Sequence, residues 1–158
     1  MKSVITKSPA ETSTLAEQWV GNIDLHEGSA GDSGEAVVVA LNGHLGSGKT
    51  TFVQAVARAL GVKDNITSPT FVLMKRYELK NAIGRGGDAR FKNLIHIDAY
   101  RLENGADLDA LEFENIVADP GNLVLIEWAE NVKAGLPENI QKIDFEYVGE
   151  MERKISFE

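Results

Sequence analysis

Lys49 and Thr50 close the run Gly43-His44-Leu45-Gly46-Ser47-Gly48-Lys49-Thr50, which meets G-x-x-x-x-G-K-[ST] at every constrained position. Those residue types at that spacing can hold a polyphosphate. Glycine admits backbone angles closed to residues with a Cβ, so consecutive N–H groups can turn toward phosphate oxygens. The Lys49 ammonium can reach β- and γ-phosphates, and the Thr50 hydroxyl can ligate Mg²⁺. On this reading Leu45, Gly46, Ser47, Gly48, Lys49, Thr50 and Thr51 line a nucleotide site.

Such a loop needs a further carboxylate near the metal, and two acids qualify. Glu127 follows the apolar run Leu123-Val124-Leu125-Ile126, and Asp98 follows Leu94-Ile95-His96-Ile97. Ligands of open α/β sheets lie at the carboxyl ends of strands, so both acids can converge on the phosphates. We assign Glu127 to Mg²⁺ and Asp98 to the attacking water, with the reverse assignment open. For each, the competing reading is a solvent-facing acid at a strand end. Thr70, in Ser68-Pro69-Thr70, occupies a loop comparable to the one that senses a γ-phosphate in GTPases. Turn chemistry after a proline accounts for it equally well. Trp128 either covers the site or packs in the core. His96, alternating with Ile95 and Ile97, reads as a hydrogen-bonded structural histidine rather than a proton carrier.

These side chains require strands that end together beneath one helix. Ala36–Leu41 is an uninterrupted apolar run, as in a strand buried on both faces. Thr51–Leu60 carries Phe52, Val53, Val56 and Leu60 at helical spacing, with Gly61 placed to stop it. Strand, loop and helix in that order aim a helix N-terminus at an anion. An amphipathic helix is expected over Pro9–Val20, with Leu15, Trp19 and Val20 inward. Strands are expected over Phe71–Leu79, Phe91–Tyr100, Asn122–Ile126, Ile140–Tyr147 and Glu152–Phe157, and a short helix over Leu108–Val117. Asn81–Asp88, with Gly84, Gly86 and Gly87, reads as a hairpin turn, and Gly28–Gly34 as a loop. The fold class is α/β, a P-loop NTPase-like mixed sheet. A parallel core with antiparallel strands at one side is flanked by helices, all in one domain spanning residues 1–158.

Bulk properties narrow the function. A chain of 158 residues with 43% hydrophobic and 25% charged residues is ordinary for a globular protein. It has no cysteine, which excludes disulfides and zinc–thiolate sites. No stretch resembles a signal peptide or is long enough to span a bilayer, so a cytoplasmic address and no membrane partner are expected. The net charge of −8 argues against a broad phosphate-tracking surface. Lys75, Arg76, Lys80, Arg85, Arg90 and Lys92 form the best local basic patch. Any nucleic-acid pathway is therefore expected to be served through a protein partner.

Several segments, taken in order, resemble the TsaE (YjeE) family of small bacterial P-loop proteins. They are Leu41–Thr51, Ile66-Thr67-Ser68-Pro69-Thr70-Phe71, His96-Ile97-Asp98-Ala99-Tyr100-Arg101-Leu102, the acidic stretch through Leu111-Glu112, Leu125-Ile126-Glu127-Trp128-Ala129-Glu130 and Leu136-Pro137. The loop alone is shared by many families; the ordered set is far more specific. The resemblance implies an ATP-binding, weakly hydrolysing protein that acts with TsaD and TsaB in threonylcarbamoyl modification of the tRNA adenosine next to the anticodon. By position it makes Lys49 and Thr50 phosphate and Mg²⁺ ligands, Glu127 a Mg²⁺ ligand and Ser68–Thr70 a switch-like loop near Asp98. Its N-terminal helix approaches the nucleotide, where Glu11 and Thr14 are the nearest matches. Asn81–Phe91 and Gly21–Ala36 look longer than the family pattern.

Three rivals share the loop. A small-molecule kinase needs an arginine-rich lid, for which Arg85 and Arg90 give a thin version. A GTPase needs N-K-x-D and D-x-x-G, and neither occurs. A nucleotide-dependent interaction module without useful turnover uses the same residues as a slow ATPase. The order is ATPase partner protein, interaction module, kinase. No arginine finger stands out; Arg101 is the nearest candidate in the chain, or anchors its own loop. Direct contact with tRNA is not decided by these residues.

Overall fold

Strands Lys2–Thr6 (β1), Val37–Asn42 (β2), Met74–Glu78 (β3), Asn93–Asp98 (β4), Asn122–Glu127 (β5), Gln141–Tyr147 (β6) and Arg153–Phe157 (β7) form one sheet in the order β1-β7-β6-β2-β5-β4-β3. The computed structural model describes residues 2–23, 34–69, 71–80 and 91–158. The expected hairpin turn at 81–88, most of the 28–34 loop, Thr70, Arg85 and Arg90 lie outside the described residues.

β6, β2, β5 and β4 run parallel, while β3 pairs antiparallel with β4 and β7 pairs antiparallel with both β6 and β1. The mixed sheet is thus as read from the sequence, except that antiparallel strands stand at both edges. β1 escaped the sequence reading because it is an edge strand whose residues are mostly exposed, so no apolar run marks it.

The apolar runs of β2, β4 and β5 reflect burial on both faces. Alternate residues serve alternate cores. Val37, Val39, Leu41, Leu94, Leu123 and Leu125 face the helices Pro9–Val20 (α1) and Lys49–Ala59 (α2), against Ala16, Trp19, Phe52, Val53 and Val56. Val38, Ala40, Ile95, Ile97, Val124 and Ile126 face the other way, onto Leu108, Phe113 and Val132. Each fully buried Leu, Ile or Phe contributes about 1.5–3 kcal/mol. The expected inward set of α1 is confirmed at Trp19 and Val20, with Leu15 half-buried.

Two differences have local causes. The helix expected over Leu108–Val117 is a 3₁₀ helix, Gly105–Leu111, followed by an α-helix, Phe113–Val117 (α3). Glu112, at φ 51°, is left-handed and breaks the two apart. The strand expected from Phe71 begins only at Met74, because the Val72 and Leu73 N–H groups both donate to the Pro69 carbonyl, at 2.9 and 2.6 Å. That turn leaves Phe71 85% exposed.

The 3₁₀ helix Gly105–Leu111 packs against Ala129–Gly135, two helical turns kinked at Val132 that follow β5. They meet glycine to glycine. A Cβ on Gly105 would press on the Gly135 nitrogen and come within 2.7 Å of the Gly135 Cα, backbone that cannot swing aside. Gly105→Ala is expected to cost about 1–3 kcal/mol through this overpacking. A thermal melt should therefore fall by several degrees, and an unshifted midpoint would show that the two turns do not press together.

Candidate functional site

β2, β5 and β4 deliver their carboxyl ends side by side. Leu41 pairs with Glu127, and Asp98 pairs with Glu127 from the opposite side. The loop leaving β2 and the two predicted acids therefore share one edge of the sheet. Gly43 opens the loop at φ 137°, where a Cβ would run into the Phe145 carbonyl and approach Ser47 Oγ to 2.9 Å. Only glycine fits so close to β6. α2 begins at Lys49, with left-handed Gly48 as its cap and no side chain on its first N–H groups. Such a helix start is a ready anion site.

Lys49 lies inside the loop it closes. Its Nζ donates to the Gly43 carbonyl at 2.5 Å and to the His44 carbonyl at 3.1 Å, and it is only 4% exposed. Burial lowers its pKa from 10.5, although the carboxylates of Glu127, Glu130 and Asp98 pull the other way. The Trp128 ring covers it, with the ammonium 4.0 Å from the ring centroid. Trp128 is held there by a left-handed backbone (φ 58°) and by its N–H to the Leu41 carbonyl at 3.1 Å. Tyr100 adds a tilted ring contact at 5.2 Å. Trp128 lies over the loop lysine and also packs, partly buried, against the second core, so each of its two readings holds in part.

Thr50 Oγ1 lies 3.0 and 2.9 Å from the two carboxylate oxygens of Glu127. Glu127 is buried, and His96 Nε2 stands 2.8 Å from its Oε1. Asp98 is also buried but differently engaged: Ser68 Oγ donates to Oδ2 at 2.5 Å and the Tyr100 N–H donates to Oδ1 at 3.0 Å. It thereby ties the Ser68–Pro69 segment to the end of β4.

The residues present fit a nucleotide with Mg²⁺. Ser47 Oγ is buried inside the loop beside Gly43 and has no hydrogen-bond partner, a polar atom left over for a ligand. Thr50 and Glu127 put hard oxygen donors together. Among the described residues no group of three His, Cys, Asp or Glu side chains is arranged around a metal position.

Other predicted positions are not drawn in. Glu11 sits in the first turn of α1, exposed, its carboxylate accepting the Lys7 N–H at 2.7 Å. Thr14, also exposed, donates its hydroxyl to the Ala10 carbonyl at 3.1 Å. Among the described residues neither bonds to the loop. Leu45 is 79% exposed at the loop's apex, and Thr51 is half-buried in the first turn of α2. Arg101 stacks on Phe71 at 4.8 Å, as a residue that anchors its loop. Of the basic patch, Lys75 donates to Thr67 Oγ1 at 3.0 Å, while Arg76, Lys80 and Lys92 are exposed.

Sequence reasoning read His96 as a hydrogen-bonded histidine, as it is, without finding its partner Glu127, and it missed Arg153. His96 shares a face with Asp98 because residues two apart on a strand do, and that spacing was the available signal. Arg153 gave no signal. It pairs with Tyr147 across β6 and β7, lies 3.9 Å over the Tyr147 ring, and donates to the Gly46 carbonyl at 3.3 Å.

Fold and site first define a class: a mixed α/β protein built on a strand, a phosphate-type loop and a helix. The chain belongs to the TsaE family, threonylcarbamoyl adenosine biosynthesis proteins, whose family model matches residues 6–155. A relative from Treponema pallidum, named tRNA threonylcarbamoyladenosine biosynthesis protein TsaE, is 36% identical over 122 residues, covering 77% of this chain and 82% of its own. One of the same name from Aquifex aeolicus is 39% identical over 137 residues, covering 84% and 80%. Some relatives are longer, and the match spans 63% of the Rickettsia felis protein. The crystal structure of Bacillus subtilis YdiB superposes with a TM-score of 0.71 at 26% identity, covering 99% of this chain and 83% of that one. Among the described residues no helix is long and apolar enough to cross a membrane.

Proposed function

We propose that this protein binds ATP with Mg²⁺ at the loop Gly43–Thr50, hydrolyses it slowly, and acts with TsaB and TsaD in threonylcarbamoyl modification of the tRNA adenosine next to the anticodon. The observation that carries the site is the contact of Thr50 with both oxygens of Glu127, directly beside a buried Lys49. Family membership carries the pathway.

Lys49 leaves its two carbonyl partners for the β- and γ-phosphates, and the Trp128 ring keeps water from its outer side. Thr50 and Glu127 hold Mg²⁺, which when bound neutralises charge developing on the phosphate oxygens. The N–H groups at the start of α2 bind the phosphates, with Ser47 Oγ adding a donor. Asp98 orients the attacking water, with Ser68 tying the neighbouring loop to it. Each Asp98 oxygen already accepts one hydrogen bond, so a water there competes with Ser68 and Tyr100, which supports the reading of slow turnover by the protein alone.

A panel of nucleotides with and without Mg²⁺ tests the first half. ATP should bind more tightly than GTP, and the reverse order would sink the reading. Adding purified TsaB and TsaD tests the second: hydrolysis should rise, and an ATP-dependent complex should form. Binding without any rise in hydrolysis would favour a nucleotide-dependent interaction module. No complex and no change would refute the partnership.

A further inference from the structure

His96 is fully buried on β4, and one of its nitrogens is accounted for while the other is not. Nε2 lies 2.8 Å from Glu127 Oε1, whereas Nδ1 is buried without a hydrogen-bond partner. This pattern selects one form of the ring. A neutral imidazole carries one N–H. With the proton on Nδ1, a buried donor would be orphaned and the Nε2 lone pair would face a carboxylate oxygen. With the proton on Nε2, the ring donates a charge-assisted bond to Glu127 and leaves only an unpaired acceptor.

The placement is set by the sheet. His96 pairs with Leu125 and Asp98 with Glu127 in the parallel register of β4 and β5, so His96 lies diagonally behind Glu127 on the α2 side. The carboxylate is therefore held from two directions, by an imidazole behind and the Thr50 hydroxyl in front. The Thr50 hydroxyl has a single proton and sits nearly midway between the two oxygens, so it does not fix the rotation of the carboxylate. The Nε2–H bond to Oε1 does.

We propose that His96 is a positioning residue for Glu127: its Nε2–H fixes Oε1 and so the rotation at which both oxygens face Thr50, which sets how well the pair takes a divalent cation. The inference rests on the assignment of Thr50 and Glu127 to Mg²⁺. A partner that orients a metal ligand is worth roughly 10- to 100-fold in metal affinity.

The test titrates Mg²⁺ against binding of a fluorescent ATP analogue to the wild type, His96→Leu, His96→Gln and Glu127→Gln, with each protein also measured in EDTA. His96→Leu should raise the Mg²⁺ concentration for half-saturation about 10- to 100-fold while leaving nucleotide binding in EDTA unchanged. His96→Gln, whose amide nitrogen can stand near the place of Nε2, should recover most of that loss. A purely space-filling histidine predicts no rescue and equal effects with and without Mg²⁺, and either result overturns the proposal. Nitrogen-15 NMR of the wild-type imidazole decides the matter even if His96→Leu does not fold: the Nε2–H tautomer is expected, and the Nδ1–H tautomer overturns it. The underlying site reading fails separately, when wild type and Glu127→Gln show no Mg²⁺ dependence at all. If Glu127→Gln loses that dependence and His96→Leu keeps it, only the positioning role is lost.

Discussion

Lys49→Met is expected to abolish the thermal stabilisation given by ATP and Mg²⁺, while leaving the unliganded protein about as stable as the wild type or more so. A ligand at one hundred times its dissociation constant stabilises by about 2.7 kcal/mol. At about 2–4 °C per kcal/mol for a chain of this size, the wild type should gain roughly 5–10 °C. Methionine matches the lysine stem in length but offers no charge to phosphate. The ammonium is buried, and burial lowers its pKa despite the neighbouring carboxylates, which raise it. The charged form is thus less favoured in the folded than in the unfolded chain. Removing it relieves that cost and forfeits two bonds to the Gly43 and His44 carbonyls. The pH dependence has a definite sign. Wild-type stability should rise relative to Lys49→Met as pH climbs through the depressed folded pKa toward 10.5, where the buried charge is discharged. Differential scanning fluorimetry with and without nucleotide measures both effects. A variant that still gains several degrees from ATP would remove Lys49 from the site.

Glu127→Gln should lower Mg²⁺-dependent hydrolysis by about 100-fold or more and leave nucleotide binding in EDTA nearly unchanged. The substitution keeps the volume and one acceptor oxygen but removes the charge that a divalent ion requires. It also puts an NH₂ where an oxygen stood, facing either Thr50 Oγ1 or His96 Nε2, so one of the present contacts has to change. Phosphate release followed against Mg²⁺ concentration checks it. Wild-type rates would return the metal to Asp98, the assignment left open on sequence grounds. The geometry favours Glu127, because it touches Thr50 while Asp98 is engaged by Ser68 and Tyr100.

Much of this site is legible along the chain. The strand-loop-helix unit is local: a buried strand, a glycine-bearing loop and an amphipathic helix follow one another within a short stretch, so residue type and period suffice. Asp98 and Glu127 are legible as acids ending apolar runs, because a doubly buried strand writes an unbroken apolar segment and each run breaks at a charged residue. The α1 helix starts with Ser8 as cap and Pro9 behind it, and its bounds match the sequence reading.

What was not legible depends on pairing between distant segments. β1 shows no apolar run because an edge strand with one exposed side needs none. The break at Glu112 follows a left-handed backbone that glutamate does not announce. Arg153 meets Gly46 only after β6 and β7 fold back along β2.

The sequence by itself determined that this chain carries a phosphate-type loop between a strand and a helix, with two acids at strand ends. It did so because each of those features is encoded within a few residues by backbone freedom, side-chain chemistry and periodicity. Only the tertiary structure decided which acid meets Thr50, that His96 stands behind it and that Trp128 covers Lys49. Those outcomes are set by the register of β2, β4 and β5, which aligns Leu41, Glu127 and Asp98 in one row. Register is a property of paired strands, held by buried side chains on both faces of the sheet, and no single segment contains it.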